Sequence, residues 1–175
     1  MIQVMELTHI PEVISIYAQG IALGYATFET KVPTVEQFDA KYHPTLRFVA
    51  VEDEKVRGWI SITPYSAREV YQGAAELSVY VAPEAKGKGI GLALMQQLEQ
   101  EAKKQNYWLL QGSIIASNTA SIALHKKAGY RQVGTRIGIA KRDGQWLNTV
   151  LMEKHLVLEE AHYDNNRMFN STRIE

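Results

Sequence analysis

The sequence contains no cysteine, which excludes disulfide bonds, thiolate metal sites and a cysteine nucleophile within these 175 residues. Its formal net charge is zero, with 19 basic and 19 acidic residues, and this balance argues against non-specific binding of nucleic acid. No stretch has the length and apolarity of a membrane span, and the first residues lack the basic and apolar segments of a signal peptide. We therefore expect a cytoplasmic protein without a nucleic-acid or membrane partner.

The five histidines include no pair at the HxxxH spacing of a helical zinc site, so we predict chemistry without a metal ion. The length suits one well-buried domain, and the composition is that of an ordinary globular protein. We assign the domain to residues 1–156. The polar residues 157–175 form a C-terminal extension in this interpretation.

Apolar periodicity predicts the element order β-α-α-β-β-β-α-β-α-β-β, an α/β fold with helices on both faces of the sheet. We expect about seven strands in a mixed, mostly antiparallel sheet. The predicted strands are residues 2–6, 47–52, 56–63, 74–81, 108–115, 130–139 and 146–153. The predicted helices begin at Thr8 as N-cap, at Thr34 in a capping box with Gln37, near residue 90, and near residue 119. Asp143-Gly144 predicts a tight hairpin, and Glu99 is expected to pair with Lys103 on the exposed side of its helix.

Residues 85–91 read AKGKGIG, with three alternate glycines between a predicted strand and the clearest helix. Such a loop can turn backbone N–H groups towards an anion, and the helix N-terminus, Lys86 and Lys88 add positive charge. The string is not a Walker A loop, and Leu92 stands where the third glycine of a Rossmann fingerprint would lie. The pattern predicts a phosphate site; the alternative is a solvated basic turn that caps a helix.

The same string resembles the R/Q-x-x-G-x-G/A pyrophosphate loop of GNAT acetyltransferases, with Lys86 at the usual Arg or Gln position. Three further segments resemble the phosphinothricin and methionine sulfoximine N-acetyltransferase group. They are ELSVYV at residues 76–81, the N-x-x-S-x-x-L-H segment at 118–125 followed by Gly129-Tyr130, and GQWLN at 144–148. In the last segment Asn148 replaces the acid of that group. The resemblance spans residues 1–156 and implies the GNAT fold.

The resemblance implies that acetyl-CoA is the acetyl donor and that one strand, one loop and one helix start hold it. The implied cofactor-binding residues are Val79, Tyr80, Val81, Gly87, Lys88, Gly89, Ile90, Gly91, Leu92 and Asn118. For the strand residues the resemblance concerns the backbone, because Val79 and Val81 are also ordinary sheet-core side chains. Asn118 has an equally simple alternative as the N-cap of the helix at residue 119.

Glu76 is the predicted catalytic base, because an amine acceptor must lose a proton before it attacks a thioester. It lies in an otherwise apolar run, where a carboxylate is unfavourable unless it is paired or functional. The alternative is a side chain that faces solvent on the other side of the pleat. His125 occupies the position where many GNAT enzymes have a tyrosine acid; its alternative is a buried, hydrogen-bonded histidine. Without cysteine, direct attack in a ternary complex is expected.

Arg68 and Tyr71 directly precede the Glu76 strand, and related enzymes use Arg and Tyr at this spacing to hold an amino-acid-like substrate. A guanidinium suits bidentate carboxylate binding, although an ordinary surface arginine is the alternative. Phe28 and Glu29 resemble the family's acceptor-site wall. The implied acceptors are phosphinothricin, methionine sulfoximine and methionine sulfone, and relatives are commonly homodimers. Acetylation of a protein N-terminus or lysine, and a non-catalytic CoA-binding module, stay open as other functions.

Overall fold

The computed structural model describes residues 1–157, in which seven strands and four α-helices form the fold. The strands are β1 (Ile2–Val4), β2 (Arg47–Glu52), β3 (Lys55–Pro64), β4 (Ala74–Val81), β5 (Leu109–Ile115), β6 (Arg131–Arg142) and β7 (Gln145–His155). The helices are α1 (Ile10–Ala22), α2 (Val35–Lys41), α3 (Ile90–Lys104) and α4 (Thr119–Lys127). The predicted order of elements is confirmed.

The seven strands form one sheet in the order β1-β2-β3-β4-β5-β7-β6. Neighbouring strands are antiparallel except for β4 and β5, which are parallel. This arrangement confirms the predicted mixed, mostly antiparallel sheet. The single parallel pair lies at the centre, between two antiparallel halves, and the candidate site forms there.

The helices cover both faces of the sheet, as predicted. Neighbouring β3 side chains point to opposite faces and so contribute to two separate cores. Ile60 belongs to the core under α3, where Leu94 and Leu98 are fully buried. Trp59 belongs to a second core under α1 and α2, together with Tyr17. Burial of these apolar side chains on both faces is the main stabilisation of the sheet.

Two local predictions are confirmed in detail. Thr34 and Gln37 form a reciprocal capping box at the start of α2, in which Thr34 Oγ1 accepts from the Gln37 amide at 3.2 Å. Asp143 and Gly144 both have positive φ, at 50° and 78°, as a two-residue hairpin loop between β6 and β7 requires.

Two other predictions are wrong. Thr8 is not the N-cap of α1: it lies inside a 3-10 turn, Leu7–His9, and His9 takes the N-cap position. The side chain of Glu99 does not pair with Lys103, because it turns towards β7 and is 12% exposed. There its carboxylate accepts from Lys154 Nζ at 2.6 Å. Helical periodicity alone does not reveal which tertiary partner Glu99 has.

The predicted extension, residues 157–175, lies outside the described residues apart from Val157. In residues 1–157, no helix combines the length and the apolar character needed to cross a membrane.

Candidate functional site

A cleft opens in the centre of the sheet because β4 and β5 separate. The two strands pair over three residues, from Ala74 with Leu109 to Glu76 with Gln111. Beyond this point β5 stays paired with β7, and β4 stays paired with β3 as far as Val81. The C-terminal half of β4 therefore has an edge that faces an open cleft of about 610 Å³.

The cleft has two ends with different linings. At one end lie the glycine loop, the first turn of α3, and α4. At the other end lie α1, the α1–α2 loop and the end of α2. Glu76 and Ser78 line the strand between them. One end of the cleft therefore lies beside a helix N-terminus, and the other lies beside apolar, aromatic and charged side chains.

The glycine loop has the conformation that a phosphate site needs. Gly87 and Gly89 both have φ of +80°, and among the described residues no heavy atom lies within 4 Å of a Cβ built on either. Gly89 is the N-cap of α3 and supplies no side-chain cap, which leaves the first helical N–H groups to the loop side. A Cβ on Gly91 would approach Leu124 to 2.9 Å, so this glycine lets α3 pack closely against α4. These features fit a pyrophosphate.

The two lysines of the loop have different surroundings. Lys86 lines the cleft together with Gly87, Gly89 and Ile90. The Lys88 side chain lies on the other side of the loop and donates to Glu52 at 3.1 Å, and this contact lowers the pKa of the Glu52 carboxyl. Lys88, although predicted to bind the cofactor, is therefore not among the residues that line the cleft.

Most other predicted cofactor-binding residues also line the cleft: Val79, Tyr80, Val81, Gly91, Leu92 and Asn118. The Asn118 side chain caps α4, since its Oδ1 accepts from the Ser121 amide at 3.2 Å. Its position in the cleft wall and its capping role are thus both present in the structure.

Glu76 lies where β4 and β5 begin to separate. It is half-buried, it lines the cleft, and its Oε2 accepts from Gln111 Nε2 at 3.2 Å. Ser78 and Tyr80 share its face of β4, whereas Leu77 points into the opposite core. The carboxylate therefore has a fixed orientation and an opening towards both ends of the cleft. Its side chain is not simply directed to bulk solvent.

Aromatic side chains form the wall beside Glu76. Tyr80 stacks on Trp59 with 4.9 Å between ring centroids, and its hydroxyl donates to the Ala26 carbonyl at 3.4 Å. Tyr17 contacts Tyr80 edge-on at 5.0 Å. Burial raises the pKa of both Tyr80 and Tyr42 well above the usual value, so these hydroxyls are neutral hydrogen-bond donors at physiological pH.

Tyr17 and Tyr42 line the cleft but were not identified as site residues from the sequence. The signal for Tyr42 is its position directly after the capping-box helix, which does not reveal the strand that it packs against.

His125 lines the cleft but its bonding does not favour the role of an acid. The ring is 2% exposed, and Nδ1 lies 2.8 Å from the Ser121 carbonyl, to which it must donate. In this neutral tautomer Nε2 carries no proton, and it has no hydrogen-bond partner among the described residues. Burial lowers the pKa of His125, which disfavours the protonated form further. The alternative of a buried, hydrogen-bonded histidine fits this geometry.

The predicted acceptor-site residues divide into two groups. Phe28 and Glu29 line the cleft, whereas Arg68 and Tyr71 do not. Arg68 lies over the Tyr71 ring, with 5.7 Å from the guanidinium carbon to the ring centroid. Both residues precede β4 at the end where it is still paired with β5. At this end Gly73 is packed against Trp108, which precedes β5. Closeness in sequence to Glu76 therefore does not bring them to the cleft.

In residues 1–157 no group of three or more histidine, aspartate or glutamate side chains could hold a metal ion. The cleft instead combines a half-buried carboxylate, neutral hydroxyl donors and a helix N-terminus with an adjacent lysine. The carboxylate can accept a proton near a ligand whose phosphates lie on the glycine loop.

Comparisons with known proteins identify similar chains. The sequence profile of the acetyltransferase (GNAT) family matches residues 15–130. The chain is 32% identical to a phosphinothricin N-acetyltransferase of Alcaligenes faecalis over 161 residues, which is 89% of this chain and 82% of the relative.

Two solved structures have the same fold. A GNAT phosphinothricin acetyltransferase from Sinorhizobium meliloti in complex with AcCoA superimposes with a TM-score of 0.80 at 26% identity, covering 89% of this chain and 87% of that one. A ribosomal-protein-alanine N-acetyltransferase from Brucella melitensis gives a TM-score of 0.79 at 29% identity, covering 89% and 99%.

Proposed function

The chain belongs to the GNAT acetyltransferase family and is an acetyl-CoA-dependent N-acetyltransferase, and we propose that its acceptor is the α-amine of a small amino acid. Phosphinothricin, methionine sulfoximine and methionine sulfone are the proposed acceptors. The names of relatives over most of the chain support this class: one is a phosphinothricin N-acetyltransferase, and another, 29% identical, is an L-methionine sulfoximine/L-methionine sulfone acetyltransferase.

The observation that carries the proposal is the position of Glu76. It lies between the glycine loop and the opposite end of the cleft, which is formed by α1, the α1–α2 loop and the end of α2 and which we call the acceptor end. Its carboxylate is oriented by Gln111. A base at this point can reach an amine that enters from the α1–α2 side. A donor whose phosphates lie on the loop can extend its acyl end along the open edge of β4 to the same point.

In the proposed reaction Glu76 first removes a proton from the acceptor ammonium, directly or through one water molecule. The free amine attacks the thioester carbonyl carbon, a C–N bond forms and the C–S bond breaks. The CoA thiolate leaves and takes up the second proton, which the nitrogen loses as the amide forms. His125 stays neutral in this scheme, so the proton for the thiolate comes from the amine or from solvent.

The test replaces Glu76 by glutamine, which keeps the shape and the Gln111 contact but removes the base. We expect kcat/KM to fall by about 10²-fold or more at neutral pH, while the affinity for acetyl-CoA stays nearly unchanged. The matched control is Glu101→Gln at the end of α3, where Glu101 pairs with Lys104 on the surface. Activity of Glu76→Gln within a few-fold of the wild type, measured as release of CoA thiol, would place the base elsewhere.

A second acceptor class is the N-terminus of a protein, which the similarity to a ribosomal-protein-alanine N-acetyltransferase favours. The exposed side chains of Leu23, Tyr25 and Phe28 at the acceptor end offer an apolar surface for a peptide. Release of CoA thiol with a panel of free amino acids and alanyl peptides separates the two classes. Better turnover of the peptides than of every amino acid would overturn the amino-acid proposal and leave the acetyltransferase assignment intact.

We also propose that the protein forms a homodimer through the hairpin of β6 and β7. The edge strand β6 exposes Ile137 and Ile139, and Trp146 of β7 is 67% exposed. An apolar edge of this kind is an aggregation risk unless a partner covers it, and a second copy would do so. Sedimentation of the wild type and of Ile137→Lys tests this: a monomeric wild type would contradict it.

A further inference from the structure

The acceptor end of the cleft has one cationic side chain that the sequence did not single out. Three lysines line the whole cleft within residues 1–157, and two of them, Lys86 and Lys127, lie at the glycine loop and at the end of α4. The third, Lys41, is the last residue of α2 and lies beside the α1–α2 loop. An acceptor that carries an anionic group meets this ammonium at the end where its amine must enter.

The backbone around Lys41 is fixed relative to the strand that carries Glu76. Tyr42, the C-cap of α2, is 4% exposed and packs with 5.4 Å between its ring centroid and that of Trp59. The next residue, His43, donates its amide to the Ile62 carbonyl of β3 at 3.0 Å. The position of Lys41 therefore depends on the core and on β3, not on a free loop.

A series of contacts links Lys41 to the face of β4 that carries Glu76. The Lys41 ammonium lies 5.5 Å from the Tyr42 ring centroid, and the Tyr42 hydroxyl interacts with Ser78. Ser78 and Glu76 are two positions apart on one face of β4, about 7 Å along the strand.

Lys41 already has a carboxylate partner that an acceptor could replace. Its Nζ lies 2.9 Å from Glu29 Oε1, and the two side chains are 44% and 52% exposed. Ion pairs with this exposure contribute little to stability, because water and salt screen them and both side chains lose freedom. Exchange of one carboxylate for another at this ammonium is therefore readily reversible.

We propose that Lys41 binds the anionic end of the acceptor, a carboxylate or phosphinate, by exchanging Glu29 for it. This inference rests on the proposed function. Glu29 holds the ammonium in place before the acceptor arrives and leaves it when the acceptor binds. The residue pair then selects acceptors that carry an anionic group at the correct distance from the amine.

Two arginines are the competing anchors. Arg68, the residue favoured by the sequence, lies outside the cleft. Arg142 of β6 donates to the Thr27 carbonyl at 3.1 Å and is likewise absent from the lining of the cleft. Because Arg142 reaches the same loop as Glu29 without entering the cleft, it provides a matched control for a general loss of positive charge.

The experiment measures steady-state acetylation of methionine sulfone, whose α-carboxylate is its one anion, by Lys41→Met. We expect KM to rise by about 10-fold or more with kcat within a few-fold, while the affinity for acetyl-CoA is unchanged. Glu29→Gln, which frees the ammonium, should lower KM. Arg142→Gln should leave KM unchanged, and Arg68→Gln should have a smaller effect than Lys41→Met.

Amide substrates identify which anion Lys41 binds. If it binds the α-carboxylate, methionine sulfone amide should show equal KM values with the wild type and Lys41→Met. If it binds the distal anion instead, methionine sulfone should show no KM difference between the wild type and Lys41→Met, whereas phosphinothricin amide should show one. Equal KM increases for charged acceptors and for methionine sulfone amide, or a larger increase in Arg68→Gln, would overturn the inference. A wild type that acetylates no amino acid would instead refute the proposed function.

Discussion

Replacement of Gly112 in β5 by alanine tests whether the cleft wall depends on direct contact between this strand and His125. A Cβ at Gly112 would lie 2.7 Å from His125 Nε2 and 3.3 Å from its Cδ2. Ordinary contacts of this kind are about 3.5–4.0 Å, so the ring or the strand must move by close to 1 Å. The ring has little freedom, because Nδ1 is bonded to the Ser121 carbonyl at 2.8 Å and the Tyr130 ring lies against it at 5.2 Å.

Overpacking of this size typically destabilises a protein by about 1–3 kcal/mol. For a chain of this length each kcal/mol lowers Tm by about 2–4 °C, so Gly112→Ala should lower Tm by about 2–12 °C. The matched control is Gly134→Ala in β6, where no described heavy atom lies within 4 Å of the new Cβ. Its free energy of unfolding should stay within about 0.5 kcal/mol of the wild type.

A double-mutant cycle assigns the effect to the contact itself. In a His125→Ala background the ring is absent, so Gly112→Ala should be neutral or slightly stabilising. The expected coupling free energy is therefore about 1–3 kcal/mol, measured by urea denaturation of all four proteins. Equal destabilisation by Gly112→Ala in both backgrounds would refute the reasoning, because the loss would then not involve His125.

Three further predictions follow from other contacts. Acetyl-CoA should raise Tm of the wild type and do so much less in Gly89→Asp, where a carboxylate opposes the phosphates; no shift of the wild type at millimolar acetyl-CoA would contradict the loop assignment. Lys154→Met should lower the free energy of unfolding by about 1–3 kcal/mol, because Glu99 loses its partner in a largely buried position. Lys104→Met, which breaks an exposed ion pair, should change the free energy of unfolding by less than about 0.5 kcal/mol. Similar losses in the two variants would contradict the expected difference between a buried and an exposed ion pair. Because burial lowers the pKa of His125, the unfolded chain binds more protons below about pH 6.5, and the wild type should lose stability as pH falls from 7 to 5. In His125→Gln the free energy of unfolding should depend less steeply on pH. A single group contributes at most about 1.4 kcal/mol per pH unit to this slope, and an unchanged slope would exclude His125 as its source.

Features encoded by a few neighbouring residues could be predicted from the sequence. The Thr34–Gln37 capping box and the Asp143-Gly144 hairpin depend on local backbone geometry, and both are present. The glycine loop is also local, since positive φ at Gly87 and Gly89 requires no distant partner. Glu76 could be singled out because an acid in an apolar strand is unusual wherever that strand lies.

Features that depend on which segments meet in space could not be predicted in this way. Arg68 and Tyr71 were predicted from the resemblance and from their place directly before β4, but they do not line the cleft, which begins only after β4 and β5 have parted. Their role in substrate binding stays a prediction. Lys41 was not chosen, because its place in the cleft depends on the contact of His43 with β3. Glu99 pairs with Lys154, which lies 55 positions away in the sequence, and helical periodicity does not reveal a partner at that separation.

The separation of β4 and β5 also explains why this fold should respond to its donor. From Leu77 to Val81 no strand in residues 1–157 pairs with the cleft side of β4, so backbone N–H and C=O groups there need partners from solvent or a ligand. A long donor with amide groups can supply these partners along the same edge that leads from the glycine loop to Glu76. Binding would then supply hydrogen-bond partners to the backbone of β4, and the same contacts would place the reacting thioester beside Glu76. On this argument acetyl-CoA should protect the amide hydrogens of residues 77–81 from exchange more than those of β2, which is paired on both sides.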